Sequence, residues 1–197
     1  MKITTTTPEL VLHDGIYHYP LPVSTTVDLE VDLPGKLHIA GYICARKIVS
    51  NCDLEVAGHI YCEEILADSS SITAEGNICC LGHIRATNIT SKENIFASHV
   101  IALGNLSCWR LHASADVTVH GNIAVLNSVF SGGFLFCRGN VTAEGGEVHA
   151  SLIEVHGNLT VKTHVQAEHP IWVQGVLMCQ YLVLGTTVCR CANRIAQ

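Results

Sequence analysis

The residues best suited to chemistry in this sequence are its 12 histidines and ten cysteines, since imidazole and thiolate groups bind metal ions. Their spacing does not form a recognised ligand set, because the sequence contains no Cys-x-x-Cys pair and no His-Glu-x-x-His motif. We therefore predict no metal site and no cofactor within one chain. A metal site shared between subunits remains an alternative.

Catalytic motifs are also missing from the sequence. It has no Walker sequence, no Gly-x-Ser-x-Gly elbow and no glycine-rich loop that opens a helix. Carboxylates such as Glu75 and Glu154 are scattered along the chain instead of being paired. The sequence therefore predicts a protein that is not an enzyme and has no catalytic residues.

Composition narrows the class of protein. The chain has 197 residues, a formal net charge of -6, 48% hydrophobic residues and only 14% charged residues. This is enough apolar material for one domain, and the negative charge argues against a nucleic-acid partner. No apolar run reaches the roughly 18 residues that span a bilayer. The segment that starts Met1-Lys2-Ile3 also lacks the apolar core of a secretory signal. We expect a cytoplasmic protein with reduced thiols, which would meet a membrane only through partners.

An internal repeat dominates the sequence. Glycine recurs with a period of about 17 to 18 residues, at Gly104, Gly121, Gly139, Gly157 and Gly175. Within each long repeat, aliphatic residues recur every six positions. One such series is Ile153, Leu159, Val165, Ile171, Leu177 and Val183, and the spacing is looser toward the N-terminus, through Ile95, Ile101 and Leu106. A period of six fits neither the 3.6 residues of a helix turn nor the alternation of a long strand. The repeat thus indicates short strands separated by corners.

Each six-residue unit pairs a large inward residue with a small one two positions later. Val141 and Ala143 form such a pair, whereas Leu103 after Ile101 is an exception. Five cysteines occupy the small position, where a thiol acts as a compact apolar group: Cys62, Cys80, Cys108, Cys137 and Cys179. Two residues spaced by two point to the same side of a strand, so each unit is predicted to be a three-residue strand with its pair facing the core.

Three such strands in every coil of about 17–18 residues predict an all-β fold, a single-stranded parallel β-solenoid of about eight coils. We predict an N-terminal capping segment over residues 1–36, made of loops and one or two strands. The solenoid would occupy residues 37–187, and residues 188–197 would form a short C-terminal tail. Gly-Asn pairs are placed at the corners, where they tolerate a left-handed backbone, and their asparagines would form a hydrogen-bonded column. A sandwich or barrel is the alternative, but its strands would recur at intervals of about 8 to 12 residues.

The repeats resemble those of bactofilins, the polymer-forming cytoskeletal proteins of bacteria. Phrases such as Gly121-Asn122-Ile123-Ala124-Val125 and Gly157-Asn158-Leu159-Thr160-Val161 carry the resemblance. It implies a right-handed β-helix that assembles end to end into filaments without nucleotide, and crossovers between parallel strands favour that hand independently. The long N-terminal segment and the many Cys and His residues depart from the family, which leaves open a capped relative that does not polymerise.

A second resemblance is to the hexapeptide-repeat acyltransferases, which work as trimers. Those enzymes favour a small residue directly after the aliphatic position, where this chain has Phe130, Phe136, Trp172 and Met178. The steps of five residues near Ile89 also fit a strict hexad poorly. This reading is the least favoured of the three that the sequence allows.

Outward apolar residues are the candidate contact sites. Tyr61, Phe96 and Phe130 are predicted to share one column with Cys79, and a second group contains Phe134, Phe136 and Trp172. With Leu177 and Val183 near the C-terminal end, these residues are our predicted self-association sites. The favoured function is a structural scaffold that binds itself, with other cell-envelope or cytoskeletal proteins as further candidate partners. The alternative is a finite binding module that presents its aromatic face to a protein or glycan.

Overall fold

The computed structural model describes residues 1–185 and, for the backbone alone, residues 187–190. These residues contain short β-strands and no helix. The strands are β1 (Lys2–Thr4), β2 (Val11–His13), β3 (Ile16–Tyr19), β4 (Val23–Ser24), β5 (Leu29–Asp32), β6 (Leu37–Ile39), β7 (Ile43–Cys44), β8 (Lys47–Ser50), β9 (Leu54–Val56), β10 (Ile60–Cys62), β11 (Glu64–Ala67), β12 (Ile72–Ala74), β13 (Ile78–Cys80), β14 (His83–Ala86), β15 (Ile89–Ser91), β16 (Asn94–Ala97), β17 (His99–Ala102), β18 (Leu106–Cys108), β19 (Arg110–Ala113), β20 (Val117–Val119), β21 (Ile123–Val125), β22 (Val129–Ser131), β23 (Phe134–Cys137), β24 (Val141–Ala143), β25 (Val148–Ala150), β26 (Leu152–Val155), β27 (Leu159–Val161), β28 (His164–Ala167), β29 (Ile171–Val173), β30 (Leu177–Met178), β31 (Tyr181–Leu184) and β32 (Thr187–Arg190).

The strands stack into three sheets that run the length of the molecule. Sheet A has the order β1-β5-β8-β11-β14-β17-β20-β23-β26-β29, sheet B the order β2-β3-β6-β9-β12-β15-β18-β21-β24-β27-β30, and sheet C the order β4-β7-β10-β13-β16-β19-β22-β25-β28-β31-β32. Successive coils pair in parallel, as where Ile123 lies opposite Val141 and Val141 opposite Leu159. The predicted β-solenoid is confirmed, with about nine turns of about 18 residues.

The core is a central column of the inward pairs. Val141 and Leu159 have no exposed surface, and Ala143 and Val161 are at most 3% exposed. Four of the five predicted small-position thiols, at Cys62, Cys80, Cys108 and Cys137, are buried, and Cys179 is partly buried. The large-then-small pattern therefore fills the solenoid as the sequence predicted.

Two assignments of the repeat were wrong by one residue. Val100 and Ala102 face the core, whereas Ile101 points outward, so the Leu103 exception disappears. Likewise Leu182 pairs with the inward Val165, and Val183 faces outward opposite Gln166. In both places the step is five residues instead of six, because the corner before the strand is one residue shorter.

Residues 1–36 contain five strands, where we predicted loops with one or two. Strands β1, β3, β4 and β5 each pair in parallel with a strand of the next coil. The three sheets therefore extend without a break across the predicted boundary at residue 37. Strand β2 differs, since it forms an antiparallel hairpin with β3 through Asp14 and Gly15, which both have positive φ. The sequence hides this first coil because Lys2 and its partner Glu30 are separated by far more chain than one repeat contains.

At the other end, β32 pairs in antiparallel fashion with β31. The predicted tail boundary at residue 188 therefore falls inside a strand. The rest of the predicted tail, residues 191–197, lies outside the described residues.

The Gly-Asn corners from Gly104 onward lie between sheets A and B, and their glycines let adjacent coils approach closely. Among the described glycines only Gly15 and Gly185 have positive φ, so the left-handed corner we predicted is wrong. Instead the Gly139 amide donates to the Gly121 carbonyl at 2.9 Å, and a Cβ on Gly139 would lie 2.5 Å from that same oxygen. The predicted asparagine column is confirmed: the Oδ1 atoms of Asn122 and Asn140 accept the next coil's backbone N–H at 2.8 Å.

Candidate self-association surfaces

A column of rings runs along the outer face of sheet C. We call it the ring ladder, and its members, in coil order, are Tyr61, Cys79, Phe96, His112, Phe130 and His149. Each is the outward residue between an inward pair, so the sheet register places them one above another. The structure thus brings together the predicted group of Tyr61, Cys79, Phe96 and Phe130.

The rings of the ladder contact one another closely. The ring centres of His112 and Phe130 are 4.6 Å apart with planes 12° from parallel, and those of Phe130 and His149 are 5.0 Å apart. Tyr61 and Phe96 remain 42% and 38% exposed. The two histidines were missed from sequence because a period analysis that looks for apolar residues does not register them.

The second predicted group lies on sheet A and is less continuous. The rings of Phe134 and Phe136 lie 5.9 Å apart on β23. Trp172 lies two coils away, 70% exposed, and Glu154 occupies the rung between Phe136 and Trp172. Its Oε1 atom forms a hydrogen bond with Nε2 of the His156 ring at 2.9 Å. A carboxylate therefore separates Phe136 from Trp172.

The last coil forms a third surface, which we call the C-terminal end layer. Its members are inward-facing residues that are only partly buried: Ile171, Val173, Leu177, Cys179 and Leu182. In the preceding coil the equivalent residues, such as Ile153, Leu159 and Val165, have no exposed surface. The predicted Leu177 belongs to this layer, whereas Val183 lies on the outer face. Sequence could not single out the layer, because its residue types match those of every other coil.

The N-terminal end is more fully covered, although its inward-facing Tyr17 is only partly buried. Ile3 and Val23 of the first coil are at most 1% exposed, and Tyr19 is 7% exposed. The segment that joins β1 to β3 contributes Leu10, which packs against the core, and β2, which occupies the outer edge of sheet B. The two ends of the molecule therefore offer different surfaces.

Three of the buried thiols, at Cys62, Cys108 and Cys137, are poorly suited to chemistry. Burial raises the pKa of Cys108 to about 12 and that of Cys137 to about 11. Cys62 and Cys80 lie in register on adjacent coils without a disulfide; the hydrogen bond between them and burial raise the pKa of Cys62, and the same hydrogen bond lowers the pKa of Cys80. Thiols that stay protonated are weak nucleophiles and weak metal ligands.

Ligand sets for a metal ion are not assembled in the residues described. No three His, Cys, Asp or Glu groups of this part of the chain surround one point. His120 and His156 follow strands two coils apart in sheet A, with Arg138 at the corresponding place between them. The surface grooves are shallow and open, and one of them passes Trp109 and Leu126 on the side of sheet B.

No protein-family model, curated protein or solved structure matches the chain. No helix long and apolar enough to cross a membrane occurs among the described residues.

Proposed function

We propose that the chain is a non-enzymatic, bactofilin-like scaffold that associates with a second copy of itself through the C-terminal end layer. The observation that carries the proposal is the difference in burial between the last coil and the coils in the middle of the rod. Leu177 keeps exposed surface, whereas its partner one coil earlier, Leu159, has none. A second end layer stacked on the first would bury Leu177 as a further coil would.

Both apolar burial and backbone pairing favour this contact. Completing the burial of a Leu or Ile side chain is worth about 1.5–3 kcal/mol when the residue starts fully exposed, and a fraction of that here. Strands β29 and β30 are the last strands of sheets A and B in the described residues, so each has an edge whose backbone groups can pair. Several partly exposed side chains acting together offset the entropy lost on association.

The more fully covered N-terminal end selects the geometry of the assembly. A filament in which each tail meets the next head needs an open first coil, but at that end β2 occupies the edge of sheet B and Leu10 packs against the core, which leaves the edges of β1 and β4. The remaining arrangement pairs two C-terminal ends about a twofold axis, which closes as a dimer. We therefore propose a finite rod of two chains instead of the open filament that the resemblance implies.

Sedimentation velocity over a dilution series tests the proposal. The parent chain should sediment as a dimer that dissociates on dilution, and Leu177→Asp should sediment as a monomer while keeping its β-strand circular dichroism. Leu126→Asp is the matched control, because Leu126 is 49% exposed in the middle of the rod. A Leu177→Asp chain that still dimerises, or equal loss of dimer in both variants, would contradict association through this end.

The ring ladder supports a second candidate function, a finite module that binds a glycan. Its rings follow one another along sheet C from Phe96 to His149 with planes inclined by 12° to 58°, and aromatic rings are suited to packing against the apolar faces of sugar rings. Phe96→Ser should weaken binding to soluble polysaccharides in an affinity gel and leave sedimentation unchanged. No retardation of the parent chain by any polysaccharide tested would dismiss this function.

A further inference from the structure

Two aromatic rings on the outer face of sheet A are separated by one intervening rung. Phe136 on β23 and Trp172 on β29 belong to one column of outward residues, and Glu154 on β26 lies between them. Trp172 is 70% exposed, and Phe136 is partly exposed. Because adjacent strands of a sheet lie about 4.8 Å apart, the two rings are roughly 10 Å apart along the rod. Alternate sugars of an extended, cellulose-like chain have a similar spacing, so both rings can pack against one such chain.

Polar side chains follow the same three strands at the corner between sheets A and B. Arg138, His156 and Gln174 come directly after β23, β26 and β29, and the backbone N–H of each donates to the coil before. Asn140 and Asn158 lie further along the same corners, and both are exposed. Their Oδ1 atoms accept backbone N–H groups, which leaves the Nδ2 groups to donate outside the column. Amide donors beside exposed rings suit a ligand that carries hydroxyl groups.

Arg138 is an exposed cation without an anionic partner in the part of the chain that the structure describes. By contrast, every Lys and Arg up to Lys92 forms an ion pair with a carboxylate. Glu154, on the coil after Arg138, bonds His156 instead. An unpaired guanidinium can bind a carboxylate through two parallel hydrogen bonds. The corner therefore places a carboxylate-binding group beside the two rings.

We propose that this face binds an acidic, cellulose-like polysaccharide along the axis of the rod. Phe136 and Trp172 pack against alternate sugars, and Arg138 binds a uronate carboxylate. The exposed amides and Glu154 Oε2 bond the hydroxyl groups. A chain of net charge -6 repels a dense polyanion such as a nucleic acid or an acidic peptide, so ring packing and neutral hydrogen bonds favour a polysaccharide. The ring ladder lies on sheet C and the C-terminal end layer faces the core, so this inference is independent of both proposed functions.

Affinity electrophoresis of the full chain in gels that contain a polysaccharide tests the site. Polymannuronate, which has a carboxylate on every sugar, should retard the parent chain more than neutral hydroxyethyl cellulose does. Arg138→Gln should weaken polymannuronate binding roughly tenfold and leave hydroxyethyl cellulose binding unchanged, because only the uronate loses a contact. Trp172→Ala should weaken binding to both polymers. No retardation of the parent by polymannuronate, or equal polymannuronate binding by Arg138→Gln and the parent, would overturn the proposal.

Matched variants separate this site from general effects of charge and aromatic content. Arg110→Gln removes another exposed guanidinium that has no ion pair in the described part of the chain, and Trp109→Ala removes a ring that is 47% exposed outside sheet A. Both should bind polymannuronate as the parent does, and all variants should keep their β-strand circular dichroism. Retardation that is lost in Phe96→Ser but kept in Trp172→Ala would assign the polysaccharide to the ring ladder instead. Polyglutamate bound as tightly as polymannuronate would indicate a site for acidic peptides and would also contradict the proposal.

Discussion

At the scale of single residues, the asparagine column shows how one side-chain type is used repeatedly. Asn140 Oδ1 accepts the backbone N–H of Asn158 at 2.8 Å, and the same contact joins Asn158 to Val176. Each bond satisfies a corner amide that no strand pairing reaches. The column therefore contributes to stability at every turn along this edge.

Removing one asparagine should destabilise the fold modestly. In Asn140→Ala the Asn158 amide loses its acceptor, and because the site is exposed we expect the low end of the penalty, about 1 kcal/mol. For a chain of this size that lowers the melting temperature by about 2–4 °C. Asn140→Asp keeps an acceptor oxygen and should lose less in the same thermal melt. Equal losses in the two variants would show that the accepted hydrogen bond is not the cause.

The buried thiols give the protein a weakness at alkaline pH. The pKa of a cysteine in the unfolded chain is about 8.5, whereas burial raises the pKa of Cys108 to about 12 in the folded chain. Above the lower value the unfolded state releases a proton that the folded state keeps, so unfolding becomes more favourable as pH rises. The loss reaches about 1.4 kcal/mol per pH unit for each such thiol, up to the folded pKa.

We expect Cys108→Ala to lose less stability than the parent between about pH 8 and about pH 11. Urea melts at a series of pH values measure this difference. Cys44→Ala removes an exposed thiol and is the control, which should follow the parent. If Cys108→Ala and the parent lose stability in parallel, the Cys108 thiol is not the source of the alkaline weakness.

At the scale of the elements, the corner between sheets A and B is built for close packing. Gly121, Gly139 and Gly157 bond each other through their backbones, at 2.9 and 3.0 Å. A Cβ on Gly139 would meet the Gly121 carbonyl and the Asn122 side chain, both at 2.5 Å. A methyl group here would force adjacent coils apart at this edge.

Gly139→Ala should therefore cost about 1–3 kcal/mol, the usual range for an overpacked site. Gly35→Ala is the matched control, because a Cβ there first meets an atom at 3.4 Å, and it should stay within about 0.5 kcal/mol of the parent. Chemical denaturation of both variants gives the comparison. A Gly139→Ala chain as stable as Gly35→Ala would mean that the coils separate at little cost.

The extent to which sequence predicted these elements follows from what the repeat encodes. The period predicts that Tyr61, Phe96 and Phe130 share one column, because two inward residues spaced by two force the residue between them to point outward. It fails at Val183, since a corner shortened by one residue puts the side chains of that strand on the opposite faces from those predicted. It also misses β1, whose partner strand lies further along the chain than one repeat. Leu177 is partly exposed because no further described coil stacks on it. A local sequence pattern does not predict whether a coil has such a neighbour.

At the scale of the whole molecule, the two ends decide what a solenoid can become. Each coil contacts only its neighbours, so an end coil keeps whatever surface its missing neighbour would cover. The β2 hairpin and Leu10 occupy the first coil's end, and the last coil keeps its end layer. Because the C-terminal end leaves more of its inward side chains partly exposed, the proposed assembly pairs two such ends.

Opening the N-terminal end should allow assembly beyond two chains. Replacing residues 5–15 by a short Gly-Ser linker deletes β2 and Leu10, which exposes the edge of β3 and the core layer at Tyr19. Both ends of each chain are then adhesive, so we expect particles longer than a dimer by electron microscopy and sedimentation. Adding Leu177→Asp should reduce them to dimers joined through the exposed first coils. If the shortened chain remains a dimer, a covered first coil is not what stops growth, and the asymmetry between the ends does not govern assembly.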